Sequence, residues 1–105
     1  RNFTPRELSE FDGKDEETPL YMAVKGIVYD VSKGRSFYGP QGPYANFAGR
    51  DASRGLALGS FDRSTLTDLD APLDDLKDLD KAEMEALNEW AGFFAGKYTP
   101  IGKLV

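Results

Sequence analysis

The chain has 105 residues, 18 acidic and 13 basic side chains, a formal net charge of -5, no histidine and no cysteine. That length allows one domain with a modest core, into which any ligand site must be cut. Without histidine there is no Ser-His-Asp triad, histidine base or histidine-containing zinc site; without cysteine there is no disulfide, thiolate nucleophile or thiolate-ligated metal. The acidic balance argues against nucleic acid, which is attracted mainly by cations, and favours basic partners.

No apolar run reaches the roughly 20 residues of a transmembrane helix, and no signal peptide is visible. The chain starts at Arg1 rather than methionine, which points to part of a longer protein lacking an N-terminal segment.

Thr4-Pro5-Arg6-Glu7 supplies a capping threonine, proline at the first helical position and glutamate at the third. It predicts a short helix over Pro5 to Phe11, ended by Asp12-Gly13. Leu20 to Val24 and Ile27 to Val31 are apolar, β-branched runs separated by Lys25-Gly26, the pattern of a hairpin in a small sheet. Ser32-Lys33-Gly34-Arg35 then breaks the alternation.

Next comes Phe37-Tyr38-Gly39-Pro40-Gln41-Gly42-Pro43-Tyr44, leading directly into Ala45-Asn46-Phe47-Ala48-Gly49-Arg50-Asp51-Ala52-Ser53-Arg54-Gly55. Proline fixes its own φ and pushes the preceding residue toward extended geometry, while glycine permits close backbone approach. The pattern predicts a stiff, open-faced loop with Tyr38 at one end and Tyr44 at its exit, suited to a flat ligand.

Asp51 is placed to cap a helix from Ala52 to Leu58, stopped by Gly59. The arginines Arg50 and Arg54 read as solvated or structural. From Asp62 to Asp80, leucines at 66, 69, 73, 76 and 79 predict short amphipathic helical turns interrupted by Pro72. The aspartates there read as a solvated face, with a docking rim for a basic partner as the alternative, and they lack the spacing of a calcium loop. Asp80-Lys81-Ala82-Glu83 opens a helix from Lys81 to Ala95 with Met84, Leu87, Trp90 and Phe94 as its core stripe, closed by Gly96. Lys97 to Val105 reads as a terminal strand or extended tail.

From Tyr38 to Gly55 the run closely resembles the signature of the membrane-associated progesterone receptor family, a cytochrome b5-like group that binds haem. Weaker matches at Thr18 to Gly26, Val28 to Ser32, Lys97-Tyr98 and Gly102 to Leu104 extend the resemblance over nearly the whole chain. It implies an α+β fold, a small cytochrome b5-like haem-binding domain over residues 1–105. The implied cofactor is ferric haem b, held noncovalently because there is no Cys-x-x-Cys-His motif.

In that family the tyrosine ending the Tyr-Gly-Pro-x-Gly-Pro-Tyr motif is the axial iron ligand, and the matching residue is Tyr44. Phenolate is a hard anionic donor that suits ferric iron, and a bound cation can hold a phenol ionised. Without the resemblance, Tyr44 is simply a loop aromatic packed on the core. Tyr38 is placed to hydrogen-bond the ligand oxygen or a haem edge, or only to pack. Lys97 and Tyr98 match a Lys-Tyr pair that lies beside the haem, where they would stabilise phenolate or propionate charge. The plain alternative for Lys97 is a cation at a helix C-terminus.

By resemblance the domain is a binding module and not an enzyme, regulating cytochrome P450 enzymes and sterol metabolism from the endoplasmic reticulum or another endomembrane. It would face the cytosol if the parent carries an anchor and be cytoplasmic otherwise. Five-coordinate iron would leave one face open to water, a partner or another copy, giving a haem-dependent homodimer. Two alternatives stay open: a haem-independent steroid-binding or adaptor domain holding a sterol, and an electron-transfer partner of a monooxygenase.

Overall fold

The computed structural model describes residues 1–105. Strand β1 (Asn2–Phe3) leads into helix α1 (Pro5–Ser9). The Thr4 hydroxyl accepts from the Glu7 N–H at 3.2 Å and the Glu7 carboxylate accepts from the Thr4 N–H at 3.0 Å. Two otherwise orphaned amides are thereby satisfied. The helix stops short of Phe11 because Phe11 pairs elsewhere: its ring stacks on Tyr21 at 4.6 Å and its carbonyl accepts from the Tyr21 N–H.

Strands β2 (Tyr21–Val24) and β3 (Ile27–Asp30) form the predicted hairpin, with Tyr21 opposite Asp30 and Val24 opposite Ile27. Lys25 and Gly26 both have positive φ, 51° and 79°. That turn geometry matches the twist of the flanking strands. Strand β4 (Thr99–Leu104) runs antiparallel to β3 and parallel to β1, completing a four-stranded sheet in the order β1-β4-β3-β2.

Side-chain alternation sorts the sheet into two apolar layers. Leu20, Met22, Val24 and Tyr29 join the larger cluster, while Phe3, Ala23, Val28 and Leu104 pack with Leu8 in the smaller one. The fold is the α+β arrangement expected, with the larger layer facing the remaining helices.

Those helices are α2 (Arg35–Tyr38), α3 (Ser53–Leu58) and α4 (Lys81–Lys97). Ser32–Gly34 forms a 3-10 turn running straight into α2, so the segment that breaks the strand pattern is itself helical. Helix α4 opens with the Asp80/Glu83 capping box, both bonds at 2.8 Å. It continues through Gly96, because a glycine ends a helix by turning left-handed and Gly96 does not. The chain instead becomes extended at Tyr98, whose N–H still reaches the Phe94 carbonyl at 2.9 Å.

Two expectations along this half of the chain are corrected. Leu87 and Phe94 are fully buried, but Trp90 is 40% exposed. Leu87 and Phe94 share the centre of the stripe, whereas Met84 and Trp90 fall about 60° to either side at 100° per residue. From Asp62 to Asp80 the only helical piece is a 3-10 turn at Arg63–Thr65. The carboxylates of Asp62, Asp74 and Asp75 accept from backbone N–H groups two residues on, a local bond that competes with helix.

Leu66, Leu76 and Leu79 nevertheless pack on the larger cluster. Arg54 on α3 anchors the arm, reaching Asp74 at 2.6 and 3.0 Å and Asp78 at 2.7 and 3.0 Å. Arg54 is therefore structural, and part of the acidic run is neutralised within the molecule.

Candidate functional site: an aromatic cleft at the motif

The motif does not form one open loop. Tyr38 is the last residue of α2, and the next residues fold back so that the Tyr44 N–H donates to the Phe37 carbonyl at 2.9 Å. Within that ring the Gly42 N–H donates to the Gly39 carbonyl at 2.8 Å. A side chain at Gly42 would collide with the Phe37 carbonyl oxygen, so glycine is required by the backbone itself.

A 3-10 turn, Ala45–Phe47, follows, and the chain then joins the edge of β2. The Gly49 N–H donates to the Tyr21 carbonyl, the Ala23 N–H to the Arg50 carbonyl and the Ala52 N–H to the Ala23 carbonyl, at 2.8, 3.0 and 2.9 Å. The motif is thus anchored to the sheet at one end and to α2 at the other.

Asp51 acts close to the predicted place. The N-cap of α3 is Ala52, one position later than Asp51, but the Asp51 carboxylate still accepts from the Ser53 N–H at 3.0 Å and the Ser53 hydroxyl at 2.6 Å. Ser53 Oγ in turn accepts from the Lys25 N–H at 2.8 Å, tying the hairpin turn to α3.

Tyr38 and Tyr44 meet in an open cleft of about 170 Å³, walled by Phe47, Leu56, Phe61 and Trp90. The Tyr38 and Tyr44 ring centroids are 6.0 Å apart. Tyr44 lies nearly parallel to Phe47 at 6.4 Å and takes the edge of Phe61 at 5.5 Å. Gly55 completes the wall, since a Cβ there would come within 2.7 Å of the Phe47 ring.

The two phenols differ. Tyr38 is 7% exposed and packs on Phe94 at 6.0 Å, whereas Tyr44 is 38% exposed. Burial, reinforced by the nearby Tyr98 and Tyr44 hydroxyls, pushes the Tyr38 phenol up to about 12. Tyr38 consequently gives up its proton less readily than a free phenol.

Lys97 and Tyr98 do not line this cleft. They border a separate depression of about 190 Å³ with Asp30, Ser32, Lys33 and Thr99. The Lys97 ammonium lies 5.4 Å from the Phe93 ring and 5.8 Å from the Tyr98 ring. Tyr98 is 5.5 Å from Phe94, so Phe94 packs against both buried phenols. Burial raises the Tyr98 phenol as well.

A family model described as "Cytochrome b5-like Heme/Steroid binding domain" matches residues 4–97. The chain belongs to that family. Within it, its relatives are those of the membrane-associated progesterone receptor group.

The chain is 51% identical to a Schizosaccharomyces pombe protein named Cytochrome P450 regulator dap1, covering 100% of this chain and 63% of that protein. It is 47% identical to membrane-associated progesterone receptor component 2 of Rattus norvegicus, covering 100% of this chain and 46% of the relative. The chain therefore spans only part of these proteins. A solution structure of an Arabidopsis protein, named for proposed steroid binding, superimposes with a TM-score of 0.84 at 40% identity, covering 99% of this chain and 96% of that one. An Arabidopsis thaliana structure described as having a cytochrome b5 like fold gives the same TM-score and identity, covering 100% and 91%.

Reading the cytochrome b5-like motif by sequence finds Tyr38 and Tyr44 but misses most of the cleft wall. Of the residues missed, Trp90 was legible and Phe61 was not. A tryptophan on the flank of an apolar stripe keeps one polar edge near solvent and often lines a site. Phe61, 52% exposed just after the left-handed Gly59, carries no periodic signal at all.

Proposed function

We propose that the aromatic cleft binds ferric haem b noncovalently, with the Tyr44 phenolate as the sole protein ligand of a five-coordinate iron. The supporting observation is the asymmetry of the two phenols. Tyr38 is buried, which opposes its ionisation, whereas Tyr44 stands at the lip of the cleft, where an incoming metal would reach it. The cleft offers no histidine, thiolate or methionine as a competing ligand. Phenolate favours the ferric state, so the bound iron would resist reduction.

The residues present fit such a group. The cleft is smaller than the roughly 300 Å³ at which pockets begin to enclose drug-sized ligands. Its aromatic walls suit a flat apolar ring held in part, with the remainder outside. Tyr38, whose burial opposes loss of its proton, would donate toward an ionised Tyr44 or a haem edge. Lys97 and Tyr98 border their own depression, with Tyr98 near enough to Tyr38 to help raise its phenol, and would act on propionate or phenolate charge from there.

In this reading the domain is a binding module and not an enzyme. It regulates cytochrome P450 enzymes, in line with the name of the yeast relative, and through them sterol metabolism at the endoplasmic reticulum or another endomembrane. An exposed apolar macrocycle tends to be covered by a second surface, so a haem-dependent homodimer or a P450 complex would follow. No helix of this chain is long and apolar enough to cross a membrane, so an anchor would lie in a further segment.

A second reading, a steroid in the same cleft, is favoured by its apolar walls and by the Arabidopsis relative's name. Electron transfer is less well supported, because Arg54 and Arg6 already occupy Asp74, Asp78 and Asp70 of the acidic run.

Titration with ferric haem, followed by absorption, separates these readings. Haem ligation by Tyr44 predicts a high-spin spectrum with a tyrosinate charge-transfer band and resistance to mild reduction. A low-spin six-coordinate spectrum in the monomer would show another ligand. Failure to bind haem together with saturable steroid binding would transfer the cleft to the second reading.

A further inference from the structure

A second depression, of about 360 Å³, borders the motif and is lined by Lys14, Arg50, Arg63, Asn46, Ser9 and Asp12. The turn Ala45–Phe47 stands between the two cavities: Tyr44 and Phe47 line the aromatic cleft, Ala45 and Asn46 the polar depression. The Asn46 amide donates to the Phe61 carbonyl at 2.9 Å, making a shared wall.

Each cation stands on a fixed backbone. Lys14 lies in a loop pinned by Arg35, whose guanidinium donates to the carbonyls of Gly13, Asp15 and Thr18 at 2.7, 3.1 and 3.1 Å. Arg50 donates to the Thr67 carbonyl at 2.6 Å, which fixes its head and leaves further N–H groups free. Arg63 sits in a turn capped by Asp62, whose carboxylate accepts from the Ser64 N–H at 2.9 Å.

None of these three side chains enters an ion pair; Arg6, Arg54 and Lys77 are the cations that do. The one carboxylate in the lining, Asp12, accepts from the Lys14 backbone N–H at 3.1 Å. A chain of net charge -5 thus gathers unpaired positive charge around one concave, polar space. Like charges repel, so such a grouping favours an anion between them.

We propose that this depression binds a phosphate monoester carried by a soluble small molecule. Two guanidinium forks and an ammonium match the oxygens and double charge of a phosphate monoester. The volume falls within the roughly 300–1,000 Å³ of small-molecule sites. A soluble source is favoured over a lipid headgroup because the overall negative charge opposes approach to an anionic bilayer.

The test is amide NMR of the 105-residue chain titrated with glycerol 3-phosphate at constant ionic strength. Saturating shifts are expected at Lys14, Asn46, Arg50 and Arg63. Lys14→Gln with Arg63→Gln should weaken binding about tenfold or more. Lys103→Gln, on β4 outside the depression, should leave it unchanged. Both substituted side chains at positions 14 and 63 are exposed, so the folded spectrum should persist. Unsaturable shifts spread over all cations, or saturable binding untouched by the double substitution, would overturn the site. Capture by vesicles containing a phosphoinositide, with no response to glycerol 3-phosphate, would overturn the soluble source.

Discussion

The motif from Tyr38 to Gly55 and the arm from Asp62 to Asp80 are both largely irregular, yet they are held in opposite ways. The motif is fixed by its own backbone: the Phe37–Tyr44 bond closes a ring, Gly42 fills a space that admits no side chain, and Gly49 to Ala52 pair with β2. The arm is fixed from outside, by leucines set into the larger cluster and by Arg54 gripping Asp74 and Asp78. A backbone-held segment places a phenol rigidly, whereas a side-chain-held segment depends on partners and on their ionisation.

The largest effect should come where both regions share support. Phe94 is fully buried and packs on Tyr38, Tyr98 and Trp90. Phe94→Ala should cost about 4 kcal/mol in denaturant unfolding, loosening cleft and helix together. A loss near 1 kcal/mol would mean that the aromatic layer is less tightly packed than its distances indicate.

Gly42→Ala should then cost about 3 kcal/mol, the upper end for overpacking, because the obstacle is a backbone oxygen rather than a side chain that can turn away. Hydrogen exchange should quicken at the Tyr44 amide while the arm stays protected. Equal loosening of both regions would erase the distinction between them.

Arg54→Ala should cost about 2 kcal/mol, since it leaves the largely buried Asp74 carboxylate, 13% exposed, without its partner. Here the arm should lose protection and the cleft keep it. The same pair sets a pH dependence. Hydrogen bonding from Arg54 lowers the Asp74 pKa below its unfolded value, so its stabilising contribution is present above that value and is lost as pH falls through the folded one.

Asp51 runs the other way: desolvation raises its folded pKa against the pull of the Ser53 hydrogen bonds. The penalty it carries is present above the folded pKa and relieved as pH falls through it. Asp51→Asn should therefore remove that penalty at neutral pH, remove its relief on the acid side and so steepen the acid-side loss, as thermal unfolding against pH would show. An unchanged acid limb would remove Asp51 from this balance.

The same contrast explains what was legible. The capping boxes at Thr4 and Asp80 and the Lys25-Gly26 turn are local signals, and each lies where its residues indicated, whereas the glycine-proline motif closes on itself instead of forming one open loop. The arm was misread because leucine spacing fits a helix equally well, while the deciding contacts come from Arg54 and from aspartates bonding their own backbone. Helix α4 outran Gly96 because a glycine signals a stop only when its φ turns positive. Tyr38 and Tyr44 could be picked from the motif, but Trp90 reaches the cleft only through the packing of α3 against α4, and Phe61 through the Asn46 bond to its carbonyl.

The ligand role proposed for Tyr44 is tested most directly by ferric haem titration of Tyr44→Phe beside Tyr38→Phe, each with its unfolding curve. Tyr44→Phe deletes one exposed oxygen from a backbone-held loop, so it should fold with unchanged stability yet lose most haem affinity and the tyrosinate band. Tyr38→Phe should retain binding more fully. A folded Tyr44→Phe protein that binds haem like the parent, band included, would contradict ligation by Tyr44.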